Sequence, residues 1–375
     1  MSTIVDGQAG ITFSDSSNQP TAGYTGFRNR IINGAMVIDQ RNSGAAQSSL
    51  ANYTYMVDRW VFTASQNGKF NSQQNAGSVT PPPGFINYLG LTVASAVSIA
   101  SGDYFFINQR IEGLNMSDLA WGTSSARSVT LSFWAYSSLT GLFGGAVQNG
   151  TPNYSYVFTY NITSANTWTY VTVTIPGPTA GTWATNNTIG IQLSFNLGIG
   201  IGLSISPGSW QSGNTPGATG ALSVVGTAGA TFYITGVQFE KSGAATPFEI
   251  RQYGTEFALC QRYLYKLFCD SSTSNTFFMQ GAFTASSGGL VGTNFPQRMR
   301  TVPVLYQEGS VSSFALYAPN GGAYNALSSL SLNAVTSTTY GLLNCGISSG
   351  GTAGQVAWLA ANSQTSYGLG FFAEL

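Results

Sequence analysis

Two carboxylates set across a cleft are the one general acid–base device open to this chain. It contains no histidine, so there is no imidazole to activate a serine or cysteine or to bind a metal. Most of its thirteen acidic residues stand alone. Asp103 and Glu112 flank one apolar run, and Glu240, Glu249 and Glu256 crowd a single region beside Lys241 and Arg251, where a structural charge cluster is the plainer reading. A pair assembled from distant residues would suit glycoside hydrolysis, and the sequence leaves that open. Cys260, Cys269 and Cys345 have no metal-like spacing and read as free thiols, so neither a metal nor a cofactor is expected. Gly198-Ile-Gly-Ile-Gly202 lies in a strand pattern without the helix of a phosphate loop, and reads as a bulged strand against a neighbouring backbone.

What remains is aromatic and amide chemistry. A ring can stack on the apolar face of a pyranose while amides and hydroxyls bond its hydroxyl groups. Trp183 in AGTWATNN, Trp210 in PGSWQSGN, and Tyr317, Asn320 and Tyr324 in YAPNGGAYN fit a sugar contact. For any one of these aromatics, capping the end of a β-sandwich core is the plainer reading.

Composition narrows the class. Charged residues make up 7% of the chain, with thirteen basic against thirteen acidic side chains, and 43% is hydrophobic. That is enough apolar content for packed cores and too little basic charge for phosphate-dominated nucleic-acid binding. No signal-peptide pattern opens the sequence and no run reaches the length of a membrane span, so neither nucleic acid nor membrane insertion is expected.

These residues must be positioned by strands. After a short strand-like piece at Gly10–Phe13, the stretch Met1–Phe27 is polar and reads as an arm that orders on a neighbour or as a disordered tail. Asn33-Gly34 between apolar residues predicts a hairpin. YMVDRWVFTA reads as one strand, with Asp58 and Arg59 on opposite faces and Trp60 as a core anchor. Further strands are expected at Asn87–Val97, Asp103–Ile111, Ser128–Tyr136, Tyr154–Asn161, Trp168–Ile175, Ile189–Leu197 and Thr231–Phe239. The long connections Gly68–Gly84 and Gly202–Thr227 are where contacts with a partner are expected. Phe257, Cys260, Leu264 and Leu267 follow a three-four-three spacing that places them on one stripe of a helix. So short a helix must pack against domains or against copies of itself. From Thr276 onward the pattern is again one of strands. The expected fold is therefore all-β: a jelly-roll β-sandwich over 28–250, a short linking helix over 251–270, and a second, smaller β-sandwich over 271–375, preceded by the arm 1–27.

Several stretches carry a resemblance. NRIINGAMVIDQR, YFFINQRIEG, VTLSFWAYSSLTG, ITGVQFEKSGAATPFEIRQYGTEFALCQRYLYK, QRMRTVPVLY and FFAEL resemble segments of tailed-bacteriophage tail fibres and receptor-binding appendage proteins. The run Arg28–Arg251 looks like the carbohydrate-binding-module jelly roll found in such proteins. The resemblance implies a structural, non-enzymatic protein of the virion tail, made in the host cytoplasm. It further implies a homotrimer, docked through the arm, with Ile11 and Phe13, to a baseplate or tail protein, and binding host surface polysaccharide. Three copies of the Phe257, Cys260, Leu264 and Leu267 stripe would then form the trimer seam. A depolymerase using a carboxylate pair and a capsid or tail decoration protein without a receptor role are the alternatives.

Overall fold

The computed structural model describes residues 4–6, 10–12, 18–19, 27–268, 276–319, 323–362 and 367–375. Strands Ile4–Asp6, Gly10–Thr12 and Asn18–Gln19 form a small antiparallel sheet with Ile11 on its central strand. Phe13, Cys269 and Asn320 lie outside the described residues.

The jelly roll is two antiparallel sheets packed face to face. One has seven strands in the order Trp210–Ser212, Tyr154–Ile162, Gly141–Asn149, Ile189–Ile199, Tyr104–Glu112, Trp60–Ala64, Thr54–Val57. The other has five: Thr169–Ile175, Val129–Ser137, Thr231–Glu240, Leu89–Val93, Phe70–Gln74. Period-two alternation sends Phe105 and Ile107, Leu193 and Phe195, and Leu131 and Phe133 inward, where all are fully buried. Phe133 meets Phe195 edge to face across the sheets with ring centroids 4.9 Å apart. Trp60 is completely enclosed in this core, as its position in the sequence suggests. Gly200 supplies the close approach read from the glycine run, since a Cβ there would come within 2.1 Å of the Ala100 carbonyl oxygen.

Two local expectations are corrected. Asn33-Gly34 makes no hairpin; the segment lies across the strand Thr231–Glu240, with Val237 N–H donating to Gly34 O at 2.9 Å and Arg30 N–H to Phe239 O at 2.9 Å. Asn33 is held there by its own side chain, which bonds both N–H and C=O of Ile38. Nor is YMVDRWVFTA one strand. It folds back between Val57 and Trp60, with Arg59 at φ 71°, which carries Asp58 and Arg59 to the tip of a hairpin.

The second unit is all-β, but it closes on itself where two facing sheets were expected. Strands Phe277–Ala285, Gly288–Asn294, Tyr340–Ile347, Ala323–Leu332, Phe314–Ala318 and Val356–Ala361 form a barrel in that order. Closure pairs every strand on both sides and leaves no open edge. Crowded registers require glycine here: a Cβ on Gly281 would reach 1.8 Å from the Leu290 carbonyl oxygen.

Between the units the helix spans only Tyr253–Gln261. Leu264–Phe268 is a strand of a three-stranded sheet, paired with Gly368–Phe372, which in turn pairs with Val304–Gln307. The helical stripe is therefore interrupted. Cys260 and Leu264 are fully buried within the single chain, and Leu267 sits opposite Leu369 in the sheet. The alternating run LYKLF satisfies a strand as readily as a helix, and a strand far along the chain decides the matter.

Candidate functional site

The outward face of the seven-stranded sheet is polar. Strand Tyr104–Glu112 presents Tyr104, Phe106, Asn108 and Arg110 there, Ile189–Ile199 presents Gln192, Ser194 and Asn196, and Gly141–Asn149 presents Gln148. The segment Ile201–Ala221 covers part of this face, seating Ala218 on Ala146 and Val157. The uncovered part is a groove of about 320 Å³, walled by Tyr53, Tyr104, Phe106, Arg110, Gln148, Gln192 and Asn214. Asn214 and Leu203 come from the connection Gly202–Thr227, where contacts were expected.

Amides organise the floor. Gln148 Nε2 donates to Ser155 Oγ at 2.9 Å and to Asn214 Oδ1 at 3.0 Å, and Asn108 Nδ2 donates to Thr63 Oγ1 at 2.9 Å. The Oδ1 atoms of Asn108 and Asn196 are buried on this face and have no partner among the described residues. Tyr104 and Phe106 lie 5.9 Å apart, and Arg110 stands over the exposed Tyr53 ring at 5.2 Å. Among the described residues no carboxylate lines the groove. Its equipment is amides to bond hydroxyls and rings to receive an apolar face.

The residues singled out from the sequence lie elsewhere. Trp183 and Trp210 do come together, 5.4 Å apart, with Trp121 edge-on to both at 4.7 and 5.4 Å. Their indole N–H groups are all spent on backbone carbonyls: Trp121 on Arg127 O, Trp183 on Ala180 O, Trp210 on Pro176 O. Trp183 is only 9% exposed. This trio caps the core, and no face of Trp183 is free for a sugar. Tyr317 and Tyr324 face each other across neighbouring barrel strands, with centroids 4.6 Å apart. The barrel adds two rings that sequence reasoning missed, Trp358 at 6.0 Å from Tyr317 and Phe277 at 4.9 Å from Trp358. Alternation in QVAWLAA could have pointed to Trp358; the doublet Phe277-Phe278 gives no hint which ring faces outward.

The acids near the helix are structural. Glu249 accepts the N–H groups of Arg28 and Asn29, Glu256 accepts that of Asn33, and Arg251 stands 3.5 Å from Glu249 and 3.3 Å from Glu256. Lys241 turns instead to Asp118 at 3.3 Å. A denser cluster fills the joint between jelly roll and barrel. Arg262 grips Glu112 with two bonds of 2.6 and 2.9 Å, and Tyr263 Oη donates to the same carboxylate at 2.8 Å. Glu374 is bound by Arg59 and, at 3.2 Å, by Arg41, which also lies 3.7 Å from Asp58. Burial pushes the Asp58 carboxyl above its ordinary range against the opposing pull of Arg41. Burial likewise raises the Tyr263 hydroxyl to about 12. Among the described residues no group of cysteines and carboxylates could hold a metal ion.

No protein-family model matches the chain, and no curated protein matches it. Solved structures similar to part of it include one described as "CBM4 structure and function" (18% identity, 56% of this chain and 98% of that chain, TM-score 0.29). Another is the enzymatically active domain of bacteriophage CBA120 tailspike protein 4 (15%, 52% and 21%, TM-score 0.29). A third is the family 11 carbohydrate-binding module from Clostridium thermocellum in complex with a beta-1,3-1,4-mixed-linked tetrasaccharide (11%, 54% and 99%, TM-score 0.26).

Proposed function

We propose that this chain is a non-enzymatic glycan-binding protein and that it serves as an appendage on the tail of a phage particle. The observation that carries the glycan reading is the groove on the seven-stranded sheet, where Gln148, Gln192 and Asn214 stand beside Tyr104 and Phe106 with no carboxylate among the lining residues. Amides and rings without an acid–base pair favour binding over hydrolysis. The virion role rests on the resemblance of the segments quoted above to phage appendage proteins. Assembly as a homotrimer and docking of the arm on a baseplate or tail protein belong to the same proposal. Since Cys260 and Leu264 are enclosed within one chain, copies have to meet through other side chains.

Titration of the chain with polysaccharide from the host surface tests the groove. Gln192→Ala and Tyr104→Ala are each expected to weaken binding about fivefold, the equivalent of one lost polar or ring contact, while the polysaccharide keeps its length. Binding unchanged in both folded variants would place the contact elsewhere. New reducing ends would show a depolymerase, and antibody labelling of the particle head would favour a decoration protein.

A further inference from the structure

We infer that the barrel carries a second glycan contact, independent of the groove, that takes the apolar face of an uncharged pyranoside. Phe277, Trp358, Tyr317 and Tyr324 come from four consecutive strands of the barrel and form one strip on its outer surface. The same strands send Met279, Leu359 and Leu316 inward to the barrel core, and the four rings are not part of it. Phe277 is 45% exposed and Tyr324 37%.

The polar atoms of the strip set it apart from the aromatics that cap the jelly-roll core. Of the seven tryptophans in the chain, Trp60, Trp121, Trp168, Trp183 and Trp210 give their indole N–H to a backbone carbonyl. Trp134, on the five-stranded sheet, and Trp358 have no such acceptor among the described residues, and the hydroxyls of Tyr317 and Tyr324 have no partner there either. A hollow of about 270 Å³ adjoins Trp358 and is lined by Gln280 and Gln355. Stacking surface, free N–H and O–H groups and two amides together match the alternating apolar and hydroxylated faces of a sugar.

Charge selects among sugars. The described charged residues from 276 onward are Arg298, Arg300, Glu308 and Glu374, and all are engaged near the joint: Arg298 with Thr338 and Arg262, Arg300 with Ala373 and Glu374 carbonyls, Glu308 with Lys266, and Glu374 with Arg59 and Arg41. Among the described residues no cation at the strip can pair with a phosphate, a uronate or a sialic acid, so burying such a group there would cost its hydration without return.

An array of neutral and uronate-bearing oligosaccharides, followed by titration of the best neutral ligand, tests this with the full chain. Tyr324→Ala, at an exposed position, and Trp358→Phe, which keeps a ring but removes the N–H, serve beside Trp358→Ala in case that variant fails to fold. Neutral ligands are expected to bind about tenfold more weakly to Trp358→Ala and Tyr324→Ala, and severalfold more weakly to Trp358→Phe, with thermal melting of the last two unchanged. The groove variant Gln192→Ala is expected to retain this binding, which separates failure of the strip from failure of the groove. Neutral binding that survives all three strip variants overturns the inference, as does a preference for uronates. A drop in oligomer mass in the strip variants, with glycan binding intact, would instead mark a protein contact and also overturn it.

Discussion

Asp103 shows how a sparsely charged chain uses a carboxylate. It accepts the N–H of Ala100 at 2.9 Å, the Gln66 amide at 3.1 Å and the Ser65 hydroxyl at 2.8 Å, and these bonds hold its carboxyl below the ordinary 3.8. Because the folded value lies below the unfolded one, the stabilisation is complete above 3.8 and is lost as pH falls through the lower, folded value. Asp103→Asn is expected to cost roughly 1 kcal/mol at neutral pH, after allowance for solvent screening. Melting of the two proteins at a series of pH values should show that gap closing only below 3.8; a gap independent of pH would mean that the charge contributes nothing. At this scale the sequence pointed to Asp103 as a strand-flanking acid, while Ser65 and Gln66 could not be named as its partners because they belong to another strand end.

Among the elements, the segment after the helix is the most revealing. Leu264 is buried and sits opposite Phe372 in the sheet joining the two units. Leu264→Asp would bury an unpaired carboxylate, so it is expected to destabilise the fold by more than about 3 kcal/mol. In urea the midpoint should fall sharply; a fully folded variant that merely dissociates would restore the helical seam. Strands were legible wherever alternation and β-branched or aromatic residues coincided, as in Thr231–Glu240 and Tyr154–Ile162, each within a residue of expectation. Gly141–Asn149, with GLFGGAVQN, lacked that pattern and went unread although it lies inside the seven-stranded sheet. The helix was overextended because the partner of Leu264–Phe268 is about a hundred residues away, and local spacing holds no trace of it. For the same reason the amides of the groove, gathered from separate strands and a loop, were invisible as a group, while Tyr317 and Tyr324, seven residues apart in one hairpin, were found.

Across the whole molecule, charge is concentrated at the joint. Glu374 is 2% exposed in its side chain and meets two guanidinium groups, each contributed by the jelly roll. Glu374→Gln is expected to lose about 3–5 kcal/mol, the cost of leaving buried cations without their counter-charge. Asp118→Asn, at the solvent-exposed pair with Arg30, should change stability by less than about 1 kcal/mol. Denaturant curves of both variants check the contrast, and equal losses would show that the joint is no more than a surface contact. The strand Gly368–Phe372 lies between Leu264–Phe268 and Val304–Gln307 and is hydrogen-bonded to both. In the proposed role, with one end held on a particle and the other on a cell, tension would pass through that seam. Bonds running crosswise between three strands, beside ion pairs already stripped of water, would have to break together before such a load could open the joint.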